Sequence, residues 1–270
     1  MRRAFNDFPI ELRRERASQS GRVEVSFVIG HRGLERLPLL LTTLDSIAGQ
    51  RGVELECLVV EQSPQPEVDN KLPSWVRYVH APMPEIDGPY CRARAFNIGA
   101  RLSRGAILVL HDNDLLAPQD YAAEVVGRCR EGYEVVNLKR FIFYLTESHS
   151  RRITARCAFS PDEAPESIMQ NAQGGTLAVT REAYFSIGGF DEAFVGWGGE
   201  DNEFWERART RKVWPYGYLP LLHLWHKAQP GKFEQERRTA ELLELRSAIH
   251  AEKRIADLRA RNFQEHLSGV

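Results

Sequence analysis

Short apolar segments alternate with helical segments along the first half of the chain, and this alternation constrains the fold more than any other feature. Residues 23–29 (VEVSFVI), 54–63 (ELECLVVEQS) and 106–114 (AILVLHDND) have the aliphatic and β-branched composition of strands. Residues 34–49 and 92–105 carry apolar side chains at helical spacing, and each segment ends at a glycine. The alternation predicts an α/β fold built on a largely parallel sheet.

Composition excludes several classes of protein. The 270 residues carry 36 Lys and Arg against 37 Asp and Glu, and this balance argues against general nucleic-acid binding. No apolar run approaches the roughly 20 residues that cross a bilayer, and the N-terminal arginines are not followed by the apolar stretch of a secretory signal. Four cysteines without a CxxC pair are typical of reduced thiols, so we expect a cytoplasmic protein.

Three regions differ in character along the chain. Residues 1–21 are polar and charged and are predicted to form a loosely attached N-terminal arm. Residues 22–230 contain the strand and helix pattern together with every candidate functional segment, and are predicted to form the catalytic domain. Residues 231–270 are predicted to form a C-terminal amphipathic helical extension. This extension either packs on the body or serves as a dimerisation arm, so a homodimer is one of the two alternatives.

An acidic cluster closes the third apolar strand. Two carboxylates two positions apart, Asp112 and Asp114, suit a hard divalent cation that carries phosphate oxygens. An EF-hand is excluded, because alanines (Ala117 and Ala123) stand where its loop needs glycine and glutamate. A solvated turn near a helix start is the alternative interpretation.

Glycines bracket a tryptophan in the second half of the chain, and two adjacent carboxylates follow. In residues 196–201 (GWGGED), glycine lets backbone approach a ligand, and Trp197 offers a flat face to a sugar ring. Asp201, at a predicted helix N-terminus, could accept a proton or a hydroxyl hydrogen bond. The alternative is a tight turn with a core tryptophan and capping acids.

Two imidazoles, His223 and His226, lie three residues apart in the segment HLWH. A single histidine is more often a hydrogen-bonded core residue than a metal ligand. Here, however, the chain also contains two candidate metal-binding carboxylates, Asp112 and Asp114. We therefore expect His226, and less strongly His223, to complete a metal site.

Taken in order, these segments resemble the GT-A glycosyltransferases. The match runs over residues 23–228, and the β1,4-galactosyltransferase type is nearer than bacterial family-2 transferases. Any one segment is weak evidence for this family, whereas all of them in this order and spacing are specific to it. Residues 196–201 are the most diagnostic segment. The resemblance implies an α/β protein of the GT-A (nucleotide-diphospho-sugar transferase) fold, with a single mixed, mostly parallel sheet flanked by helices. It also implies an inverting, metal-dependent enzyme. Such an enzyme moves a hexose or N-acetylhexosamine from a UDP-sugar to a hydroxyl of a carbohydrate or glycoconjugate.

The resemblance also implies residue roles. The ion, Mn²⁺ or Mg²⁺, is expected on Asp114, His226 and His223, of which His223 departs from the methionine that the galactosyltransferases carry. Asp201 is expected to be the catalytic base, and Glu200 its acceptor-binding neighbour. The residues expected to bind the donor or its nucleotide are Arg32, Arg92, Asp112, Ala172, Gly174, Gly175 and Trp197.

One departure from the family pattern concerns the donor sugar. Asn171-Ala172-Gln173 precedes the two glycines where the galactosyltransferases carry an aromatic pair, and Ala172 takes the place of the tyrosine that crowds the sugar C2 group. The smaller side chain predicts that 2-acetamido sugars are tolerated.

Other classes of protein agree less well with the residues. An NAD enzyme would need GxGxxG, and a P-loop enzyme its own glycine-rich signature, and neither is present. A sugar nucleotidyltransferase would need a glycine-rich first loop with a lysine, which GHRGLERLP lacks. A non-catalytic carbohydrate-binding or nucleotide-sugar-binding protein of the same fold is disfavoured, because both the metal pair and the candidate base are present.

Overall fold

The computed structural model describes residues 1–16, 21–83, 88–228 and 232–263. Its strands, in chain order, are β1 Val25–His31, β2 Leu55–Glu61, β3 Val76–His80, β4 Ile107–His111, β5 Leu115–Leu116, β6 Val135–Val136, β7 Lys139–Tyr144, β8 Ser167–Gln170, β9 Thr176–Thr180, β10 Val213–Trp214 and β11 Leu219–His223. Its α-helices are α1 Arg2–Asp7, α2 Leu37–Ala48, α3 Arg92–Leu102, α4 Tyr121–Arg130, α5 Glu147–Arg156, α6 Arg181–Ser186, α7 Glu200–Ala208, α8 Lys232–Ser247 and α9 Ala251–Phe263.

A seven-stranded sheet forms the centre of the fold, in the order β10-β6-β9-β4-β1-β2-β3. Strands β4, β1, β2 and β3 run parallel to one another, whereas β9 runs antiparallel to both of its neighbours. The predicted α/β class with a mostly parallel sheet flanked by helices is confirmed, and the arrangement is consistent with a GT-A-like fold.

Apolar side chains cover both faces of this sheet. Alternate residues of β1 point to opposite sides: Phe27 joins one buried cluster with Leu44 of α2, and Val28 joins another with Phe96 of α3. Both faces are therefore buried, which is why the parallel strands have continuous apolar runs rather than alternating ones. Gly99 of α3 lies where a β-carbon would collide with Val28, so glycine permits the close packing of α3 on β1.

A second, four-stranded sheet in the order β5-β11-β7-β8 adds to the predicted architecture. The chain leaves the central sheet after β6 and enters the second sheet at β7, with residues 137–138 between them. The two sheets thus share a continuous segment of chain. This short connection gives no periodicity signal of its own, so the sequence predicted one sheet where the structure has two.

The N-terminal residues pack on the body instead of hanging loosely, as far as residue 16. Phe5 is buried between the rings of Phe143 and Phe159. The Arg16 guanidinium donates hydrogen bonds to three backbone carbonyl groups, including those of Gln50 and Val53. The sequence predicted a loose arm because the segment is mostly charged. The few apolar residues that anchor it gave too little signal to predict these contacts.

The C-terminal region forms two helices, as expected for an amphipathic extension. Helix α8 packs against α7, and α9 packs against α6 and α7. Leu258 and Thr239 are buried in these contacts. Packing on the body is therefore the observed alternative for the described part, and no helix of the described chain is long and apolar enough to cross a membrane.

Candidate active site

One cleft of about 870 Å³ lies at the carboxyl ends of β1 and β4, between the two sheets. Parallel strands place their carboxyl ends at one edge, which is where α/β proteins bind ligands. All residues that the sequence singled out line this cleft: Arg32, Arg92, Asp112, Asp114, Ala172, Gly174, Gly175, Trp197, Glu200, Asp201, His223 and His226.

The candidate metal ligands meet through the register of the second sheet. β5 follows Asp114 directly and pairs antiparallel with β11, with Leu115 opposite His223. His223 Nε2 lies 3.6 Å from Asp114 Oδ1, and His226 Nε2 lies 3.3 Å from Asp114 Oδ2. One candidate ligand atom from each of the three residues lies within 4.8 Å of the others. Residues more than 100 positions apart are thereby assembled into a single cluster.

The electrostatics of this cluster suit a divalent cation. Burial alone would raise the pKa of the Asp114 carboxyl, but His223, His226 and Arg36 outweigh it and hold the pKa well below its usual range. Burial lowers the pKa of His223, which favours the neutral imidazole that can act as a ligand.

Asp114 also offers a carboxylate oxygen that is available to a ligand. Asp114 Oδ1 is buried and has no hydrogen-bond partner among the residues that the structure describes. A buried carboxylate oxygen without a partner is costly unless something binds it. One carboxylate and two imidazoles form a donor set that a divalent transition-metal ion accepts, so the residues present fit such an ion.

Arg92, the first residue of α3, connects the acidic groups of the cleft. Its Nε donates to Asp112 Oδ1 at 2.6 Å, and its Nη1 lies 2.7 Å from Asp201 Oδ1 and 3.3 Å from Glu200 Oε1. Burial and the nearby Asp201 carboxylate raise the pKa of Glu200. Burial is also the main cause that raises the pKa of Asp112. The site thus gathers three carboxyl groups around one arginine, and burial favours the protonated form of Asp112 and of Glu200.

Local backbone structure places the acidic pair. Gly199 precedes α7 with φ 84, a left-handed conformation that glycine adopts without strain. Gly174 lies against Asp201 Oδ2, where a β-carbon would collide with the carboxylate. The glycine therefore leaves room for the Asp201 carboxylate at the wall of the cleft.

The tryptophan segment is held on both sides. Gly196 and Gly198 also have left-handed φ values, and the Trp197 side chain between them is 44% exposed toward the cleft. The Gly196 N–H donates to the Tyr90 carbonyl oxygen at 2.9 Å, and the Thr239 hydroxyl donates to the Trp197 carbonyl oxygen at 2.8 Å. Helix α8 therefore supports the tryptophan from behind.

A buried lysine holds the backbone of the segment around Ala172. Lys139 Nζ donates to the carbonyl oxygens of Gln173, at 3.3 Å, and Thr176, at 2.5 Å. Asn137 Nδ2 donates to the Ala172 carbonyl oxygen at 3.2 Å. Gln173 lines the cleft, and its Oε1 is buried without a hydrogen-bond partner in the described structure.

Two features of the cleft were missed from the sequence. Arg36 lines the cleft and contacts both Asp114 and His226; its position in the loop after β1, four residues from Arg32, was an available signal. Helix α8 contributes Glu236, Thr239 and Leu243 to the wall, and no motif marks them. Arg32, which was predicted, donates to the Gly88 carbonyl oxygen.

A family model matches part of the chain. Residues 157–215 match a family model described as the N-terminal domain of galactosyltransferase. The matched segment includes Gly174, Gly175, Trp197, Glu200 and Asp201 of the cleft. No curated protein matches the chain significantly. The family match supports a glycosyltransferase of the galactosyltransferase-like type.

Proposed function

We propose that this chain is a metal-dependent, inverting glycosyltransferase that moves a hexose or N-acetylhexosamine from a UDP-sugar to a hydroxyl of a glycan or glycoconjugate. One observation carries the proposal: a carboxylate–imidazole cluster and an adjacent pair of acids line the same cleft. A glycosyl transfer needs a group that stabilises the departing diphosphate and a base for the attacking hydroxyl. The cleft offers residues suited to both tasks.

Asp114, His223 and His226 would hold the ion. When bound, Mn²⁺ or Mg²⁺ supplies Lewis-acid stabilisation of the charge that develops on the diphosphate leaving group. Two imidazoles favour Mn²⁺ over Mg²⁺, because Mg²⁺ prefers oxygen ligands and water. Asp112, whose carboxylate is held by Arg92, is proposed to contact the ribose and the sugar.

Asp201 is proposed as the base. Its Oδ1 is held by Arg92, whereas its Oδ2 lies at the glycine wall of the cleft. The acceptor oxygen forms a bond to the anomeric carbon, the bond from that carbon to the diphosphate oxygen breaks, and Asp201 accepts the hydroxyl proton. One base acting opposite one leaving group inverts the anomeric carbon. Glu200, whose pKa is raised by burial, is proposed to orient the acceptor through hydrogen bonds.

The donor wall is consistent with a 2-acetamido sugar. Ala172 presents only a methyl group, and the neighbouring Gln173 Oε1 is a buried acceptor without a partner among the described residues. An acetamido N–H is the kind of donor that would satisfy it. We therefore propose UDP-GalNAc or UDP-GlcNAc as donors beside UDP-Gal.

The test measures UDP release from these UDP-sugars, with glycan acceptors, in Mn²⁺ and in chelator. We expect turnover only with metal.

Asp114→Asn should weaken Mn²⁺ binding by more than about 100-fold, because losing a direct ligand costs more affinity than losing an outer-shell partner. Asp120→Asn, at an exposed acid that makes no capping bond, is the matched control and should behave as wild type. Full turnover in chelator would contradict the metal role, and sugar binding without turnover would favour a carbohydrate-binding protein.

A further inference from the structure

The Arg36 side chain contacts two members of the candidate metal cluster. Its Nη1 donates to Asp114 Oδ2 at 2.8 Å, and its Nη2 lies 3.1 Å from His226 Nδ1. The side chain is 14% exposed and lines the cleft. A guanidinium thus lies against the same carboxylate that a divalent cation would bind.

The two other arginines of the described cleft wall are engaged differently. Arg92 is surrounded by three carboxylates, so its charge is already balanced. Arg32 donates to a backbone carbonyl oxygen of the loop that ends at Tyr90. Arg36 differs from both, because its one carboxylate partner belongs to the metal cluster.

A divalent cation and a guanidinium compete for Asp114. Two positive groups on one buried carboxylate repel each other strongly, because the surroundings screen charge poorly. His226 Nε2, the nitrogen beside Asp114, can bind a metal ion only when the ring proton is on Nδ1; that N–H then donates to the Lys227 carbonyl oxygen at 2.8 Å, and Nδ1 no longer accepts from Arg36. A bound metal ion would therefore displace Arg36 from this position.

We propose that Arg36 is a further donor-binding residue: Asp114 and His226 hold its guanidinium until a divalent cation binds, and Arg36 then contacts the donor diphosphate. The inference rests on the proposed function. Arginine suits the second task, because its planar fork binds two phosphate oxygens at once and its long side chain can turn without backbone motion. Binding of metal and of nucleotide become coupled, since the first frees a cation for the second.

The first measurement is Mn²⁺ binding without nucleotide, by calorimetry and by electron paramagnetic resonance. Arg36→Gln should bind Mn²⁺ about tenfold or more tightly than wild type, because hydrogen bonds to charged groups have about that strength. Arg36→Lys keeps the charge but loses the planar guanidinium, so its Mn²⁺ affinity should lie between those of wild type and Arg36→Gln. Arg94→Gln removes a charge from an arginine that contacts Pro82 and Met83 outside the cluster, and should leave Mn²⁺ affinity unchanged.

The second measurement is UDP binding by the same variants. With saturating Mn²⁺, Arg36→Gln should bind UDP about tenfold more weakly than wild type. Without metal, the UDP affinities of the two proteins should agree within about twofold. The two affinities therefore change in opposite directions, a result that misfolding would not produce. Thermal melting of each variant checks that it is folded.

The outcomes separate this inference from the proposed function. Equal or weaker Mn²⁺ binding by Arg36→Gln, with normal binding by wild type, overturns the role of Arg36 and leaves the metal site intact. Binding of Mn²⁺ by neither protein overturns both. Binding by Arg36→Gln but not by wild type supports the inference, because the arginine then excludes the ion.

Discussion

Arg92 is the residue through which the acidic groups of the cleft depend on one another. It contacts Asp112, at the end of a central strand, together with Glu200 and Asp201 at the start of α7. A single guanidinium thus ties the proposed sugar-binding carboxylate to the proposed base, and its burial makes these contacts strong. The resemblance implied that Arg92 binds the donor or its nucleotide. That role stays a prediction, and the structure adds an orienting one.

Replacement of the proposed base tests its role directly. Asp201→Asn keeps the size of the side chain but removes the proton acceptor, so kcat should fall by about 100-fold or more while donor affinity persists. The measurement is kcat from UDP release, with UDP affinity from calorimetry. Glu200→Gln is the matched comparison and should mainly raise the acceptor KM. If Asp201→Asn retained normal kcat and Glu200→Gln lost it, the base would be Glu200.

Donor selection is tested at Ala172. The change Ala172→Tyr places a ring where the acetamido group is proposed to lie, so kcat/KM for UDP-GalNAc and UDP-GlcNAc should fall relative to UDP-Gal by about tenfold or more. Ala172→Ser adds little volume and serves as the control. An unchanged ratio of kcat/KM would place Ala172 away from the sugar C2 group.

Helix α7 carries the acidic pair at its first turn and is anchored by the C-terminal helices. Glu203 and Arg207 form a fully buried ion pair within α7, and Arg207 also donates to the carbonyl oxygens of Ile187 and Gly189. Arg254 of α9 reaches the same Glu203 at 3.1 Å. The acids of the cleft therefore stand on a helix whose far side is fixed by charge pairs.

The contact between Arg254 of α9 and Glu203 of α7 predicts an effect on stability. Arg254→Ala should lower the free energy of unfolding by about 1 to 3 kcal/mol, because Glu203 loses a buried charged partner. Urea denaturation measures the change. Arg261→Ala, at a side chain that is 52% exposed and 3.5 Å from Asp191, is the control and should cost less than about 0.5 kcal/mol. Equal effects of the two variants would show that α9 is not anchored through Glu203.

The whole molecule places its cleft between two sheets, with buried titratable groups along the boundary. His111, the last residue of β4, is fully buried and bonded to Thr176 Oγ1 and the Leu115 carbonyl oxygen. Burial lowers its pKa to about 4. A homodimer through residues 231–270, the other alternative for this region, stays untested; α8 and α9 pack on their own chain.

Burial of His111 makes folding stability depend on pH. Between its lowered folded pKa and the ordinary unfolded value, the unfolded chain binds the extra proton, so acid lowers the free energy of unfolding. From about pH 7.5 to pH 5, wild type should lose about 2 kcal/mol more than His111→Gln, whose side chain does not titrate. Urea denaturation at several pH values measures this difference. Parallel curves for the two proteins would contradict it.

The sequence by itself determined the order of strands and helices and the position of each candidate side chain along them. Apolar periodicity is a local property, and therefore β1, β4 and α3 were predictable, as was the acidic segment that follows β4. The GWGGED segment was likewise visible, because glycines and acids next to a tryptophan are unusual without a structural or functional cause.

Only the tertiary structure decided which side chains meet. His223 lies beside Asp114 because β5 pairs with β11, and Arg92 joins Asp112 to Asp201 because α3 and α7 pack at one end of the sheet. The second sheet, Arg36 and the α8 wall were missed for the same reason. Contacts such as those of Arg36 with Asp114, 78 positions away, and with His226, 190 positions away, depend on strand pairing and helix packing across the whole chain. No local pattern encodes that pairing.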